Sequence, residues 1–170
     1  MRRRRTNTHS RGLRCLFAAM LTLGCHDALS PRARLPRPAR NEVLVRLVVS
    51  ADDQADTYVV HAVTTRGGTF EAPTAFQANL QLPAGMTFVE DASQGSAFVR
   101  AMNVVDGALR VAGAAAQGDE TGELFAVRVK SADPTRASQV ALQVIEFRDR
   151  SGRDQRSALR VLAPYLERRR

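Results

Sequence analysis

The sequence predicts an all-β protein, a single β-sandwich of eight or nine strands that follows an N-terminal signal peptide and a linker. Short apolar runs recur between residues 43 and 162, turn residues separate them, and no stretch shows the 3.6-residue apolar period of an amphipathic helix. We expect four segments: signal peptide at 1–24, linker at 25–41, sandwich at 42–163 and a charged C-terminal tail at 164–170.

The first 25 residues contain the parts of a secretory signal peptide. Four arginines at positions 2–5 precede the apolar run Cys15–Leu23, which is far shorter than the roughly 20 residues of a membrane-spanning helix. The pair Gly24–Cys25 resembles the lipobox of bacterial lipoproteins. This resemblance implies that Cys25 carries a lipid and that the protein is exported and anchored to an envelope membrane, on the periplasmic side or at the cell surface.

Charge is distributed unevenly along the chain, whose formal net charge is +8. Residues 1–40 hold ten arginines and one acid, whereas residues 41–150 hold nine basic and fourteen acidic residues. The predicted sandwich is therefore acidic and would repel a polyanion, so we expect no nucleic-acid partner. Three prolines and four arginines in residues 31–40 predict an extended, solvated spacer.

Alternating apolar runs predict the strands in chain order. These strands are expected at 43–49, 58–65, 76–82, 86–89, 97–105, 108–112, 123–130, 139–148 and 158–162. The dipeptide Asp106–Gly107 between the fifth and sixth runs predicts a tight hairpin.

Two strands carry specific predictions about their faces. In the third strand we expect Phe76, Ala78, Leu80 and Leu82 to point inward and Gln77, Asn79 and Gln81 to point outward. The eighth strand is apolar on both faces, which predicts a central strand buried on both sides. Its faces would be Val140, Leu142 and Val144 on one side and Ala141, Ile145 and Phe147 on the other.

Three segments together resemble the cohesin-type domains. They are AFQANLQLPAGMTFVEDAS at 75–93, AFVRAMNVVDGALRVAGAAAQGDETGELFAVRVKSADP at 97–134 and SQVALQVIEFRDRSG at 138–152. The resemblance spans roughly residues 43–152 and departs from the family at Leu82–Pro83, where the family has Asp-Pro. It implies a nine-stranded sandwich, related to cellulose-binding modules, that docks a protein on a flat sheet face.

The resemblance thus implies that the partner is an envelope or secreted protein. Three alternatives to docking such a protein stay open: a stripe that is only solvated, polysaccharide binding and a structural role. The stripe Gln77, Asn79 and Gln81 would belong to the docking face, or it is only the solvated side of a half-buried sheet. The related modules suggest polysaccharide binding instead. However, the chain has no tryptophan and only Tyr58 and Tyr165 as tyrosines, so aromatic rings for stacking on sugars are scarce. The third alternative is a structural envelope lipoprotein without a soluble ligand.

Catalysis finds little support, and we expect no enzyme, cofactor or metal site. His61 is the single histidine after the linker, and no nucleophile or metal motif occurs. Glu90–Asp91 would need an opposing carboxylate to act as a general acid and base. Two acidic groups offer oxygen ligands for calcium but lack the required spacing, which favours solvated turns. They are Asp52, Asp53 and Asp56, and Asp119, Glu120 and Glu123.

Overall fold

Nine β-strands in two sheets make up the computed structural model, which describes residues 36–68, 70–118 and 122–167. The strands are β1 (Val43–Ala51), β2 (Thr57–Arg66), β3 (Pro73–Gln81), β4 (Thr87–Asp91), β5 (Val99–Val105), β6 (Ala108–Ala114), β7 (Glu123–Lys130), β8 (Ala141–Asp149) and β9 (Leu159–Leu166). Short 3₁₀ helices lie at Pro134–Gln139 and Arg156–Ala158. Within these ranges no helix has the length and apolarity to cross a membrane. The predicted signal peptide and Cys25 lie outside them.

The two sheets pack face to face. The five-stranded sheet has the order β4-β7-β2-β1-β9 and the four-stranded sheet the order β5-β6-β3-β8. All pairs are antiparallel except β1 and β9, which run parallel. The all-β sandwich prediction is confirmed. Apolar side chains on the inner faces form one core, because each strand supplies every second residue to it.

Strand β3 has the alternation that the sequence predicted. Phe76, Ala78 and Leu80 are at most 2% exposed, and Leu82 packs against the core just after the strand ends. The hairpin between β5 and β6 also follows the prediction. Asp106 and Gly107 have φ values of 51° and 78°, and positive φ at both central residues is the geometry that an Asp-Gly hairpin turn adopts.

The prediction that the eighth strand is central was wrong. β8 lies at the edge of the four-stranded sheet. A bulge opposite Gln77 and Ala78 leaves Ile145 without a partner, so Leu142, Val144 and Phe147 all face inward. Leu142, Val144 and Phe147, which strict alternation divided between two faces, therefore share the inner face, whereas Ala141 lies on the outer face.

The strand buried on both sides is β1. It lies between β2 and β9, and residues of both its faces are 0% exposed, among them Val45 on the inner face and Leu44 and Val48 on the outer face. β9 continues to Leu166, so residues 164–166, which we assigned to the charged tail, are part of the sheet.

Phe76 joins the two sheets. Its ring meets Phe98 edge to face at 4.9 Å and stacks against Phe125 of the five-stranded sheet at 6.1 Å. Gly113, on the neighbouring strand β6, leaves the space that this ring fills. A Cβ atom at position 113 would lie 2.3 Å from the Phe76 ring, closer than atoms can approach.

We expect Gly113→Ala to lower the free energy of unfolding by about 1–3 kcal/mol, because the core must shift to accept the methyl group. Urea denaturation of the full chain measures this loss. Phe76→Leu provides the control: in that background the cost of Gly113→Ala should shrink, as a double-mutant cycle reports. An equal cost in both backgrounds would contradict the proposed clash.

Candidate functional site

The outer face of the four-stranded sheet is a continuous surface that the strand registers define. Gln77, Asn79 and Gln81 of β3 lie on it, and β3 is one of the two central strands of this sheet. Residues paired across the sheet form rows on this face: Val99, Ala114, Ala75 and Arg148; Ala101, Ala112, Gln77 and Glu146; Asn103, Arg110, Asn79 and Gln143; Val105, Ala108, Gln81 and Ala141. The predicted polar stripe is thus one column of a larger face.

One half of this face is apolar and slightly concave. A shallow depression of about 370 Å³ lies over β3, β5 and β6, and its outward-facing side chains are mainly methyl groups, with Gln77 and Glu146 on the side of the polar half. The methyl groups belong to Ala75, Ala101, Ala112 and Ala114. Val99 stands at the edge of the depression with 81% of its surface exposed. Exposed apolar side chains grouped on one sheet face can be covered by a partner protein.

The other half of the face is polar. Gln77, Asn79 and Gln143 present amide groups that donate and accept hydrogen bonds. Glu146 and Arg148 of β8 form an ion pair with each other, and Arg110 of β6 is exposed beside Asn79. An apolar patch beside polar groups is the usual composition of a protein–protein interface, whereas small ligands occupy deeper clefts.

Sequence reasoning found the polar column but missed the apolar half. Alanine is compatible with either face, so its position alone carried no signal. The hairpin did offer a signal, because counting outward from Asp106–Gly107 along both strands pairs Val105 with Ala108 and Val99 with Ala114. That register places both residues of each pair on the same face.

The outer face of the five-stranded sheet is different, because its charged side chains pair with one another. Arg128 Nε donates to Asp52 Oδ2 at 2.6 Å, and Arg128 also forms an ion pair with Glu90. His61, whose ring Nδ1 lies 2.8 Å from Glu123 Oε2, is hydrogen-bonded to that carboxylate. The groups considered for chemistry are thus engaged in structural contacts.

Asp91 is the other carboxylate considered for acid–base chemistry. Burial raises its pKa, but hydrogen bonds from Ser93 and the nearby Arg100 guanidinium outweigh that effect and hold the pKa below its usual range. The Ser93 amide donates to Asp91 Oδ1 at 2.8 Å, and Arg100 Nε lies 3.5 Å from Oδ2. A carboxyl group with a lowered pKa is poorly suited to donate a proton near neutral pH.

The acidic groups weighed as calcium ligands do not meet in the described residues. No group of three or more potential metal ligands occurs within 36–68, 70–118 and 122–167. Asp52 pairs with Arg128 and Glu123 with His61, while Asp119 and Glu120 lie outside the described residues.

The two tyrosines do not form a sugar-stacking strip. Tyr58 lies on β2 and packs against the core, whereas Tyr165 lies on the edge strand β9 and is 41% exposed. Strand β1 lies between them, and they are offset along it, since Tyr58 pairs with Ala51 and Tyr165 with Val48. Tyr165 therefore stands alone at the sheet edge among the described tyrosines.

A loop stabilised by Asp149 follows β8 and covers the edge of the same four-stranded sheet. Asp149 Oδ1 accepts hydrogen bonds from the Ser151 hydroxyl at 2.7 Å and from the Ser151 and Arg153 amides at 2.9 Å. Gln155 Nε2 donates to Oδ2 at 3.0 Å. These hydrogen bonds lower the pKa of the Asp149 carboxyl, and the bond from the Ser151 hydroxyl has the largest effect.

Comparisons with solved structures show that the fold of this chain is similar to that of cohesins. No protein-family model matches the chain, and no curated protein matches it in sequence. A non-cellulosomal cohesin from the hyperthermophilic archaeon Archaeoglobus fulgidus has a TM-score of 0.56 at 13% identity, over 74% of this chain and 89% of that one. The cohesin of a type I cohesin–dockerin complex from Clostridium thermocellum has a TM-score of 0.52 at 11% identity, over 74% and 98%.

A third solved structure agrees. The sixth cohesin of scaffoldin B from Acetivibrio cellulolyticus, in complex with a Cel5 dockerin, has a TM-score of 0.51 at 11% identity, over 72% of this chain and 96% of that chain. The chain is therefore a β-sandwich with the cohesin fold. The fold implied by the sequence resemblance is confirmed.

Asp149 makes the stability of this domain depend on pH. Because its pKa is lower in the folded state, its contribution is complete above the ordinary value of about 4 and is lost as the pH falls through the lower folded value. We expect Asp149→Asn to lower the urea midpoint near neutral pH and to reduce the decline of stability between about pH 5 and pH 3. An unchanged acid profile of the urea midpoint would refute this role.

Proposed function

We propose that this chain is a non-catalytic module that docks a partner protein on the outer face of its four-stranded sheet. The observation that carries the proposal is the methyl-lined depression beside Val99, which is 81% exposed. Burying these apolar groups under a partner would release water from them, which favours association. Solved cohesins that share the fold were crystallised with dockerins, which supports docking by this architecture.

The polar half of the face would define orientation. Gln77, Asn79 and Gln143 offer hydrogen bonds at fixed spacings along two neighbouring strands, and Arg110 offers a positive charge beside them. Such groups contribute mainly specificity and register, while the apolar patch contributes most of the affinity. The stripe predicted from sequence would thus orient the partner.

The absence of catalysis is part of the proposal. His61, Glu90 and Asp91 each lie in an ion pair or hydrogen bond with a neighbouring side chain. These contacts stabilise the five-stranded sheet and its edges. A structural role therefore explains why these side chains are present, and no catalytic role is needed. The docking face itself presents alanines, amides and an ion pair, none of which is an activated nucleophile.

The N-terminal pattern supports an exported, envelope-anchored location for this module. An apolar run that ends at Gly24–Cys25 would be cleaved before Cys25 and leave that residue as the lipid attachment point. The linker, rich in proline and arginine, would hold the sandwich away from the membrane. A tethered docking module would thereby concentrate its partner at the envelope.

Docking on this face predicts a selective effect of charge. We expect Ala114→Arg, which fills the depression, to weaken partner binding at least tenfold, equivalent to about 1.4 kcal/mol. Ala163→Arg is the matched control, since Ala163 is also exposed but lies on β9 of the other sheet. The full-length wild type and both variants are immobilised and compared for retention of proteins from the envelope and secreted fractions of the producing cells.

Proteins retained by the wild type and by Ala163→Arg, but lost with Ala114→Arg, are the expected result. Equal retention by Ala114→Arg would rule out this face. Saturable retention of the wild type on a polysaccharide, unaffected by Ala114→Arg, would favour the carbohydrate alternative instead.

Lipidation predicts a defined N-terminus. Mass spectrometry of protein from membrane fractions should find Cys25 as the first residue, carrying a diacylglyceryl group on its sulfur. Cys25→Ser should release the protein from the membrane or leave the signal peptide uncleaved. An unmodified Cys25 or cleavage at another position would show that the lipoprotein interpretation is wrong.

A further inference from the structure

Edge strands in a sandwich expose backbone N–H and C=O groups that can pair with another chain, and proteins usually block them. The described sheets have four such edges, formed by β4 and β9 in one sheet and by β5 and β8 in the other. Three of the four carry a recognisable block, and β5 does not.

The edge of β8 is covered by the loop that follows it. The Gln155 amide donates to Phe147 O at 2.9 Å, and Arg156 Nη1 donates to Ile145 O at 2.8 Å. Arg148 forms a further β-bridge with Asp154. These bonds occupy backbone groups of β8 that a partner strand would need.

The two edges of the five-stranded sheet are blocked differently. β4 has only five residues, contains a bulge between Phe88 and Glu90, and ends in the charged pair Glu90–Asp91. β9 contains Pro164, which has no backbone N–H to donate, and its pairing with β1 shifts register between Arg46 and Val48. Short length, bulges, charge and proline are common edge protections.

β5 is regular over all seven residues. Its backbone pairs with β6 in continuous register, and within the described residues it forms no ladder on its other side. Arg100 is its one charged residue, and that side chain is withdrawn from the edge. Its guanidinium points to Asp91 and donates to the backbone oxygen of Leu124, which leaves the side chain 9% exposed. Val99 and Val104 are 81% and 56% exposed.

We propose that β5 pairs antiparallel with β5 of a second copy of this chain. With Met102 on the two-fold axis, Val99 lies opposite Val105, Arg100 opposite Val104, and Ala101 opposite Asn103. No charge meets a like charge, apolar Val99 and Val105 cover each other, and all seven residues are used. The strand can therefore pair with itself over its full length without setting like charges against each other.

The pairing would unite two four-stranded sheets into one sheet of eight strands, with both docking faces on the same side. This goes beyond the proposed function, because it concerns the strand edge and holds whether or not the face binds a partner. If the face does bind, the dimer would present two copies of it side by side and favour a partner with two binding elements.

The test compares the full-length wild type with two lysine variants by sedimentation velocity over a concentration series. Val104→Lys adds a hydrated charge to the β5 edge of each copy, which strand pairing would have to desolvate, and we expect it to weaken dimerisation at least tenfold. Val89→Lys is the matched control, since Val89 is 50% exposed on β4, and we expect it to dimerise like the wild type. Hydrogen exchange should show protection of residues 99–105 that grows with concentration.

Several results would overturn the proposal. They are a wild type that stays monomeric up to about 1 mM, dimerisation that Val104→Lys leaves unchanged, and concentration-dependent protection outside β5. A monomer whose β5 is protected only by an extended segment of another protein would assign the edge to that partner. Because partner retention is tested with Ala114→Arg, failure of the face and failure of the edge give different results.

Discussion

The packing of Phe76 between the two sheets is the contact on which the rest of this structure depends. Its ring meets Phe98 at 4.9 Å and Phe125 at 6.1 Å, so one side chain links the four-stranded sheet to the five-stranded sheet. Gly113 must be a glycine because the ring fills the space beside it. This inward packing fixes the positions of β3 and β6, whose outward side chains form the proposed docking face.

The face follows from the strict alternation of those strands. Since every inward residue is fixed by the core, every outward residue is free to serve a surface purpose. On β6 the outward positions 112 and 114 are alanines, whereas on β3 positions 77, 79 and 81 are amides. A larger outward residue at position 114 would erase the depression without disturbing the core. The site is therefore separable from the stability of the fold.

Sequence reasoning succeeded where local rules were sufficient. The alternation of β3 and the Asp106–Gly107 hairpin depend on neighbouring residues and were predictable. β8 was misplaced because a single bulge at Ile145 reverses the apparent faces, and a bulge is visible only once the partner strand is known. The apolar half of the face was missed for a related reason: its alanines and valine come from three strands, and alanine does not reveal which way it points.

The parallel pairing of the first and last strands has a consequence for the order of events during synthesis. Val43 pairs with Leu159, so β1 lacks one neighbour until the strand nearest the end of the described chain has been made. In a nascent chain that emerges N-terminus first, β1 would have no partner strand on the side that β9 later occupies, although β1 has apolar side chains on both faces. Closing so long a loop is slow, and the delay leaves the sandwich incomplete until β9 has been made. Such a delay would suit a polypeptide that must pass through a narrow channel before it folds.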